Sequence, residues 1–265
     1  MIELGLGCSR FGSLTGGTDR RGAAALIEAA ADLGVCHFDT ANIYGQGDSE
    51  RFLGQLLQSL PNAVVTTKAG QRFPIAKRLA LYAKPLLIPI MARHKQIAAA
   101  SGRNRAGLLP QDWSPQHLSL SLERSLRRLK RDSVDNFMLH SPAESVLRRG
   151  DAMATLLNLK QQGKAVRIGA SIDDAAAFGA AIDDDRIDII QVPLAVLLKE
   201  PRLGERAKQG SVRLVVRELF TGARTRDITR AMAAVPGHAD VVLVGTGRPD
   251  HLRQARDALK EIRSC

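Results

Sequence analysis

Four ionisable side chains of complementary chemistry lie at or just after the ends of three consecutive apolar segments. Asp39 closes the segment that ends in Phe38, and Tyr44 follows in the loop DTANIYG. Lys68 ends the segment AVVTTK, and His140 ends the segment VDNFMLH. Because the carboxyl ends of parallel strands meet at one edge of a sheet, we expect these four side chains to share one pocket. A phenol, an ammonium, a carboxylate and an imidazole together can deliver a proton to a carbonyl oxygen.

The expected proton donor is Tyr44, whose phenol ordinarily loses its proton at about pH 10. A neighbouring ammonium favours the phenolate and lowers this pKa, and a buried carboxylate keeps the ammonium charged. We therefore expect Asp39 to pair with Lys68, and Lys68 to face Tyr44 and lower its pKa. His140 could donate to the same carbonyl oxygen, orient it, or help to relay the proton.

Each of these residues, taken singly, also has a purely structural interpretation. Asp39 could cap a turn, Lys68 could be the solvated end of a strand, and His140, which precedes Ser141 and Pro142, could cap the next turn. A structural explanation of all four at once is weaker, because they are different reactive groups placed at the same end of successive strands. The pattern favours a site.

Short segments rich in Val, Ile and Leu alternate with helical patterns along the chain. The strands are almost continuously apolar, which is typical of a sheet covered on both faces. Eight such units in series favour an α/β fold of the closed (β/α)8 TIM barrel type over an open doubly wound sheet, and no GxGxxG follows the first strand. The predicted strands are Leu4–Cys8, Val35–Phe38, Ala63–Thr67, Val134–Leu139, Ala165–Ala170, Ile187–Val192, Val212–Val216 and Val241–Val244. The predicted helices are Arg20–Leu33, Ser49–Ser59, Pro115–Lys130, Asp151–Gln162, Asp173–Ala181, Ala195–Gln209, Arg226–Ala234 and Pro249–Ile262.

The length of 265 residues suits a single barrel domain spanning residues 1–265, but residues 70–113 break the alternation. This insertion after the third strand is far longer than an ordinary connection. It is strongly basic, since the chain has no Asp or Glu between Arg51 and Gln111. We expect a lid over the barrel mouth that brings apolar and cationic groups to the substrate. A surface elaboration and a weak peripheral contact with a membrane are the alternatives.

The composition excludes several classes of function. The formal net charge is +11, but no nucleic-acid motif accompanies it and aromatic residues for base stacking are few, so nucleic-acid binding is not expected. No apolar run reaches about 18 residues, so no transmembrane segment is expected. The N-terminus has no signal-peptide pattern. Three cysteines without a CxxC or His/Cys cluster indicate neither a disulfide framework nor a metal site and suggest a reducing, cytoplasmic setting.

The string FDTANIYGQGDSERFLG closely resembles the signature of the aldo-keto reductase family, in which the Asp and the Tyr are catalytic. The resemblance continues through TTKAG, FMLHSP, LKQQGKAVRIGAS and VVLVGTGRPDHLRQA, and it covers nearly the whole chain except the basic insertion. It implies a barrel that uses NADPH, in preference to NADH, to reduce an aldehyde or ketone to an alcohol. It also implies a small-molecule carbonyl substrate, and a monomer or small homo-oligomer is expected. The catalytic residues it implies are Asp39, Tyr44, Lys68 and His140.

The resemblance further assigns residues to the cofactor. Ser171 and Gln191 match the residues that hold the nicotinamide carboxamide, and Arg217 matches the residue that packs against the nicotinamide ring. Arg248 is the candidate for the 2′-phosphate, with Gln254 near the adenine. The expected cofactor-binding residues, including the pyrophosphate loop and the segment GTGRPDHL, are Gly7, Cys8, Ser9, Asp39, Ser171, Gln191, Arg217, Leu219, Gly222, Gly245, Thr246, Gly247, Arg248 and Gln254.

Some positions depart from the family pattern. Ile172 stands where an Asn usually follows the Ser, Ala255 replaces an Asn near the adenine, and QVPLAVLL lacks the usual Tyr-Asn after the Gln. These changes remove expected cofactor contacts and leave the proton-transfer groups in place. Two alternatives to a reductase therefore stay open: a non-catalytic sensor that binds the cofactor and a partner, and an aldolase that uses Lys68 as a Schiff base.

Overall fold

The computed structural model describes residues 2–13, 17–72 and 109–264. Eight parallel strands close into a barrel in chain order, β1 to β8, so that β8 pairs with β1. This confirms the predicted (β/α)8 fold class. The strands are β1 Glu3–Gly7, β2 His37–Asp39, β3 Val64–Ala69, β4 Val134–His140, β5 Ala165–Ser171, β6 Ile189–Pro193, β7 Arg213–Arg217 and β8 Val241–Val244.

The helices of the described part connect these strands, except the last one, which follows β8. Two turns of 3-10 helix, Tyr44–Gly47 and Leu57–Ser59, flank the second α-helix. The α-helices are α1 Arg20–Asp32, α2 Asp48–Leu56, α3 Pro115–Leu129, α4 Glu144–Arg149, α5 Asp151–Gln161, α6 Ala175–Ile182, α7 Leu194–Lys199, α8 Pro201–Gln209, α9 Leu219–Gly222, α10 Ile228–Ala233 and α11 Pro249–Ser264.

The helix predicted over Ala195–Gln209 is instead two helices, α7 and α8, which meet at Glu200. Pro201 opens α8, and a proline disfavours helical backbone at the residue before it, so the break is local in origin. The sequence does not predict helices α4 and α9, because segments of six and four residues are too short to show a helical period.

Helix α3 shows how the local sequence fixes an element that later supports the site. Ser114 accepts a hydrogen bond from the backbone N–H of His117, and Pro115 occupies the first turn, as a helix N-terminus prefers. The helix ends where Lys130 adopts a left-handed backbone conformation with φ of 54°. Its buried side packs onto the barrel through Leu118, Ser121, Leu122, Ser125, Leu126 and Leu129.

Side chains that point into the barrel follow the period of two along each strand. Along β4, Asn136, Met138 and His140 share the inner face, while the intervening residues pack in the main core between strands and helices. A small apolar cluster fills the middle of the barrel, namely Met138, Ile189, Val215, Val241 and Leu243. The barrel interior is therefore apolar in the middle and polar at both ends.

The two ends of the insertion leave the barrel side by side. Gln71 and Gln111 form an antiparallel bridge, and the N–H of Asp112 donates to the carbonyl of Gly70 at 2.8 Å. Gly70 has φ of +115°, and a Cβ there would lie 1.9 Å from a ring carbon of Trp113, so only glycine fits. Residues 73–108, which hold most of the predicted lid, lie outside the described residues. Within the described part, no helix is both long and apolar enough to cross a membrane.

Candidate active site

The centre of the site is an ion pair at the carboxyl ends of β2 and β3. Lys68 is fully buried, and its Nζ donates to Oδ1 of Asp39 at 2.7 Å and to the carbonyl of Thr40 at 2.9 Å. Asp39 and Thr66 are register partners on the two strands, which brings the inward-facing Asp39 and Lys68 together. The predicted pairing of Asp39 with Lys68 is present.

Tyr44 and His140 complete a cluster of four side chains. The backbone turns away from β2 into a 3-10 helix that begins at Tyr44. Its ring lies with the centroid 5.3 Å from Nζ of Lys68. The ring of His140 meets that of Tyr44 edge to face, with centroids 5.6 Å apart and planes at 86°. The structure thus brings together all four residues that the sequence placed at the strand ends.

The pKa of Tyr44 corrects one sequence prediction. Burial raises the pKa of this phenol above its usual value, and the neighbouring ammonium of Lys68 lowers it by less. Asp39 also raises this pKa, because its carboxylate repels a phenolate. The prediction from the sequence that Lys68 brings this pKa below its ordinary value is therefore wrong. The phenol is neutral and holds its proton at physiological pH.

His140 is also neutral. Burial, followed by the positive charges of Lys68 and Arg217, lowers the pKa of the imidazole well below its usual value. Its Nδ1 is buried and has no hydrogen-bond partner within the described residues. A neutral imidazole can donate one hydrogen bond through one nitrogen while the other accepts. The site therefore offers two neutral donors, a phenol and an imidazole, beside one buried ammonium.

The titration of Tyr44 can be measured directly, because the chain has only two tyrosines, Tyr44 and Tyr82. In a Tyr82→Phe protein, we expect the ultraviolet absorbance of tyrosinate to appear only above the usual tyrosine range, at pH above about 10. The Tyr44→Phe/Tyr82→Phe protein should show no such signal and serves as the blank. Tyrosinate that forms below about pH 10 would mean that Lys68 outweighs burial, as the sequence alone predicts.

A pair of polar side chains lies level with His140 on the next two strands. His140 pairs in register with Ser171 on β5, and Ser171 pairs with Gln191 on β6. Ser171 donates to Oε1 of Gln191 at 2.8 Å, and Nε2 of Gln191 donates to Oδ2 of Asp39 at 2.7 Å. The amide of Gln191 retains one N–H and one lone pair for a further partner.

Arg217 ends β7 on the far side of this pair. Its guanidinium donates to the carbonyl of Ile172 at 2.7 Å and pairs with Asp173 and Glu218. Its Nε is buried and has no partner in the described part of the chain. Arg217 thus borders the pocket, but its charge is already shared by two carboxylates.

The residues predicted for the adenosine end form a second group at the start of α11. The hydroxyl of Thr246 accepts from the N–H of Arg248 at 3.0 Å. Gly245 lies beside Gly7 of β1, where a Cβ on Gly7 would come within 3.4 Å of Gly245 Cα. The side chain of Arg248 is 68% exposed and has Asp250 at 3.8 Å. The neighbouring predicted residues Ser9, Gly247 and Gln254 are exposed.

Three predicted cofactor residues have structural roles that the sequence did not reveal. The thiol of Cys8 is buried and donates weakly to the carbonyl of Leu6 at 3.5 Å, so the side chain belongs to the core. Leu219 is buried as well. Gly222 allows α9 to approach α7, because a Cβ there would lie 2.6 Å from Cβ of Leu194.

A model of the Aldo/keto reductase family matches residues 3–264. The chain belongs to this family. The match runs from β1 to α11 and so includes both the cluster around Asp39 and the start of α11.

The chain also resembles two longer proteins whose names state an activity, and it aligns with only part of each of them. D-threo-aldose 1-dehydrogenase from a Pseudomonas species is 31% identical over 212 residues, which are 76% of this chain and 60% of that protein. NADH-specific methylglyoxal reductase from Escherichia coli K12 is 30% identical over 251 residues, which are 90% of this chain and 69% of that protein. The chain thus matches 60% of the first relative's length and 69% of the second's.

Solved structures of aldo-keto reductases show the same barrel. A Pseudomonas aeruginosa protein provisionally assigned as an aldo-keto reductase superimposes with a TM-score of 0.77 at 25% identity, covering 98% of this chain and 90% of that one. An aldo-keto reductase from Klebsiella pneumoniae in complex with NADPH gives a TM-score of 0.67 at 22% identity, covering 97% and 85%. At 22% identity, the similarity to the Klebsiella pneumoniae structure shows a shared fold and no more.

A network of buried hydrogen bonds, which the sequence does not predict, supports the strand that carries Lys68. Thr67, the neighbour of Lys68 on β3, donates to Oε1 of Glu50 at 2.6 Å, and Nε of Arg128 donates to Oε2 at 2.5 Å. Glu50 is fully buried although it lies on α2. Its only signal in the sequence is its place inside the family string FDTANIYGQGDSERFLG.

At the opposite end of the barrel, Glu3, Cys36 and His37 bring their potential ligand atoms within 4.8 Å of one another. Glu3 already pairs with His37 and accepts from Arg213 at 2.9 Å. The guanidinium of Arg213 repels a cation, and the carboxylate of Glu3 is occupied. We therefore interpret this cluster as a structural ion-pair network at the amino ends of the strands.

Proposed function

We propose that this chain reduces an aldehyde or ketone to an alcohol with a nicotinamide cofactor, and that Tyr44 is the general acid. The observation that carries the proposal is the convergence of Tyr44, His140 and Lys68 on one end of the barrel. Two neutral hydrogen-bond donors beside a buried ammonium suit the oxygen of a carbonyl group, which gains negative charge as it is reduced.

The residues present fit a nicotinamide cofactor. Ser171 and Gln191 would hold a carboxamide, since Gln191 retains one donor and one acceptor position beyond its bonds to Ser171 and Asp39. The open space around Gly245, and the start of the long helix α11 beside Arg248, would suit phosphate groups. When bound, the nicotinamide supplies a hydride to the carbonyl carbon.

The protein's own residues manage the proton and the charge. Tyr44 donates its proton to the carbonyl oxygen, and its raised pKa keeps that proton available across the physiological range. The ammonium of Lys68 stabilises the phenolate that remains, and Asp39 holds the ammonium in place at 2.7 Å. His140, neutral because its pKa is low, donates a hydrogen bond to the same oxygen.

The choice between NADPH and NADH rests on Arg248. Its exposed guanidinium favours the 2′-phosphate of NADPH, although Asp250 at 3.8 Å reduces its positive field. One relative is by name NADH-specific, and one structural neighbour was solved with NADPH. We propose NADPH as the preferred cofactor, with NADH as the alternative.

The proposal is tested by following the oxidation of NADPH and of NADH over a panel of aldehydes, ketones and quinones. The panel includes methylglyoxal and an aldose, which the names of two relatives suggest. We expect oxidation that depends on the carbonyl compound and is faster with NADPH. Cofactor binding without turnover on any member would support the alternative, a cofactor-binding sensor.

The geometry disfavours an aldolase. A Schiff base requires an amine with a free lone pair, whereas Lys68 is fully buried and donates to Asp39 and to the carbonyl of Thr40. Borohydride should therefore fail to trap a carbonyl substrate on Lys68.

A further inference from the structure

A continuous chain of hydrogen bonds crosses the interior of the barrel. Ser171 donates to Gln191, Gln191 donates to Oδ2 of Asp39, and Lys68 donates to Oδ1 of the same carboxylate, at 2.8, 2.7 and 2.7 Å. All four side chains are buried. The strands β6 and β2 are not neighbours in the barrel, so the bond from Gln191 to Asp39 spans the lumen.

The two ends of this series of hydrogen bonds have two different roles. In the proposed function, Ser171 and Gln191 would hold the nicotinamide carboxamide, whereas Asp39 and Lys68 set the charge beside Tyr44. We propose that Gln191 is a positioning residue for Asp39, so that one amide group both orients the catalytic ion pair and presents the cofactor contact. This inference rests on the proposed function for its second half.

The orientation of the amide follows from its partners. The carboxylate of Asp39 can only accept, so the NH₂ group of Gln191 must face it, and the carbonyl oxygen must then face the hydroxyl of Ser171. Each oxygen of Asp39 accepts one of these bonds, from Lys68 or from Gln191. Loss of the Gln191 donor leaves Oδ2 buried without another hydrogen-bond partner among the described residues, and the carboxylate loses the contact that fixes its direction toward Lys68.

Two readouts separate this role from a contact made only with the cofactor. In Gln191→Met, kcat at saturating cofactor should fall about 10- to 100-fold, the range that corresponds to one lost bond to a buried charged group. In a Tyr82→Phe background without cofactor, the titration of Tyr44 should move to higher pH. The unpaired carboxylate of Asp39 repels a phenolate more strongly than the paired one does.

Other charged or titratable groups also act on Tyr44, and they are unchanged in this variant. They come from β3, β4, β7 and the loop after β5, and they are Lys68, His140, Arg217 and Asp173. A shift in the Tyr44 titration on substitution of Gln191 therefore reports on Asp39 and on its ion pair with Lys68. Gln161→Met, on the exposed surface of α5, is the matched control and should change neither kcat nor the titration.

Gln191→Glu is a second, conservative variant for the case in which Gln191→Met does not fold. Its new carboxyl group has the shape of the native amide, and when protonated it can donate to Oδ2 of Asp39. Activity relative to wild type should therefore recover as the pH is lowered, because protonation restores the donor. The proposal would be overturned if the only effect were a higher KM for the cofactor. In that case kcat and the Tyr44 titration would be unchanged, and the Gln191→Glu variant would show no recovery at low pH.

The titration also distinguishes this inference from the proposed function. A protein that reduces no carbonyl compound, but whose Tyr44 titration still moves in Gln191→Met, would refute the reductase and retain the positioning role. If the protein reduces carbonyl compounds, but Gln191→Met changes neither kcat nor the Tyr44 titration, the reductase is supported and the positioning role is refuted.

Discussion

Replacement of Tyr44 by Phe should lower kcat for carbonyl reduction by about 10²- to 10⁴-fold, the usual contribution of a positioned general acid. The substitution removes only the hydroxyl group, so the ring can keep its edge contact with His140 and its place near Lys68. Binding of the cofactor should stay close to that of wild type, since none of the hydrogen bonds between Ser171, Gln191 and Asp39 involves Tyr44.

The measurement is single-substrate kinetics at saturating cofactor, with cofactor affinity measured separately by quenching of the single tryptophan, Trp113. A loss confined to kcat assigns the proton transfer to Tyr44. Activity that is unchanged would remove Tyr44 from the chemistry and leave His140, the other neutral donor of the cluster, as the acid.

The sequence was sufficient to predict the barrel and the main members of the cluster. Continuously apolar segments in series require a sheet covered on both faces, and parallel strands bring their final residues to one end. That logic placed Asp39, Lys68 and His140 correctly, because each ends a strand or comes within a residue of doing so.

The remaining features of the site depend on how deeply each side chain is buried and on the closure of the barrel, and neither can be read from the sequence. The pKa of Tyr44 is set by a competition between burial and Lys68, and the extent of burial is a property of the folded pocket. The bond between Gln191 and Asp39 joins residues 152 positions apart and exists only because the barrel closes. Glu50 lies on an amphipathic helix, where a carboxylate usually faces water.

Replacement of Arg128 by Met should lower the free energy of unfolding by about 3–5 kcal/mol, the cost of leaving one member of a buried ion pair unpaired. Exposure decides this magnitude, because a solvated pair contributes only about 0–1 kcal/mol. The side chains of Glu50 and Arg128 are 0% and 20% exposed. Without Arg128, the bond from Thr67 is the one hydrogen bond that the described residues would still make to the carboxylate of Glu50. The carboxylate is fully buried, and α2 and α3 pack closely, since a Cβ on Gly54 would lie 2.2 Å from the carbonyl of Arg128.

Urea denaturation of a double-mutant cycle measures this effect. Arg128→Met combined with Glu50→Gln should be more stable than Arg128→Met alone, because the amide carries no buried charge. Arg127→Met is the matched control on the same helix, where the side chain is exposed, and it should change stability by no more than about 0.5 kcal/mol. If the Arg128 and Arg127 variants unfold alike, Glu50 reaches solvent or another cation, and the network behind Thr67 does not anchor the strand that carries Lys68.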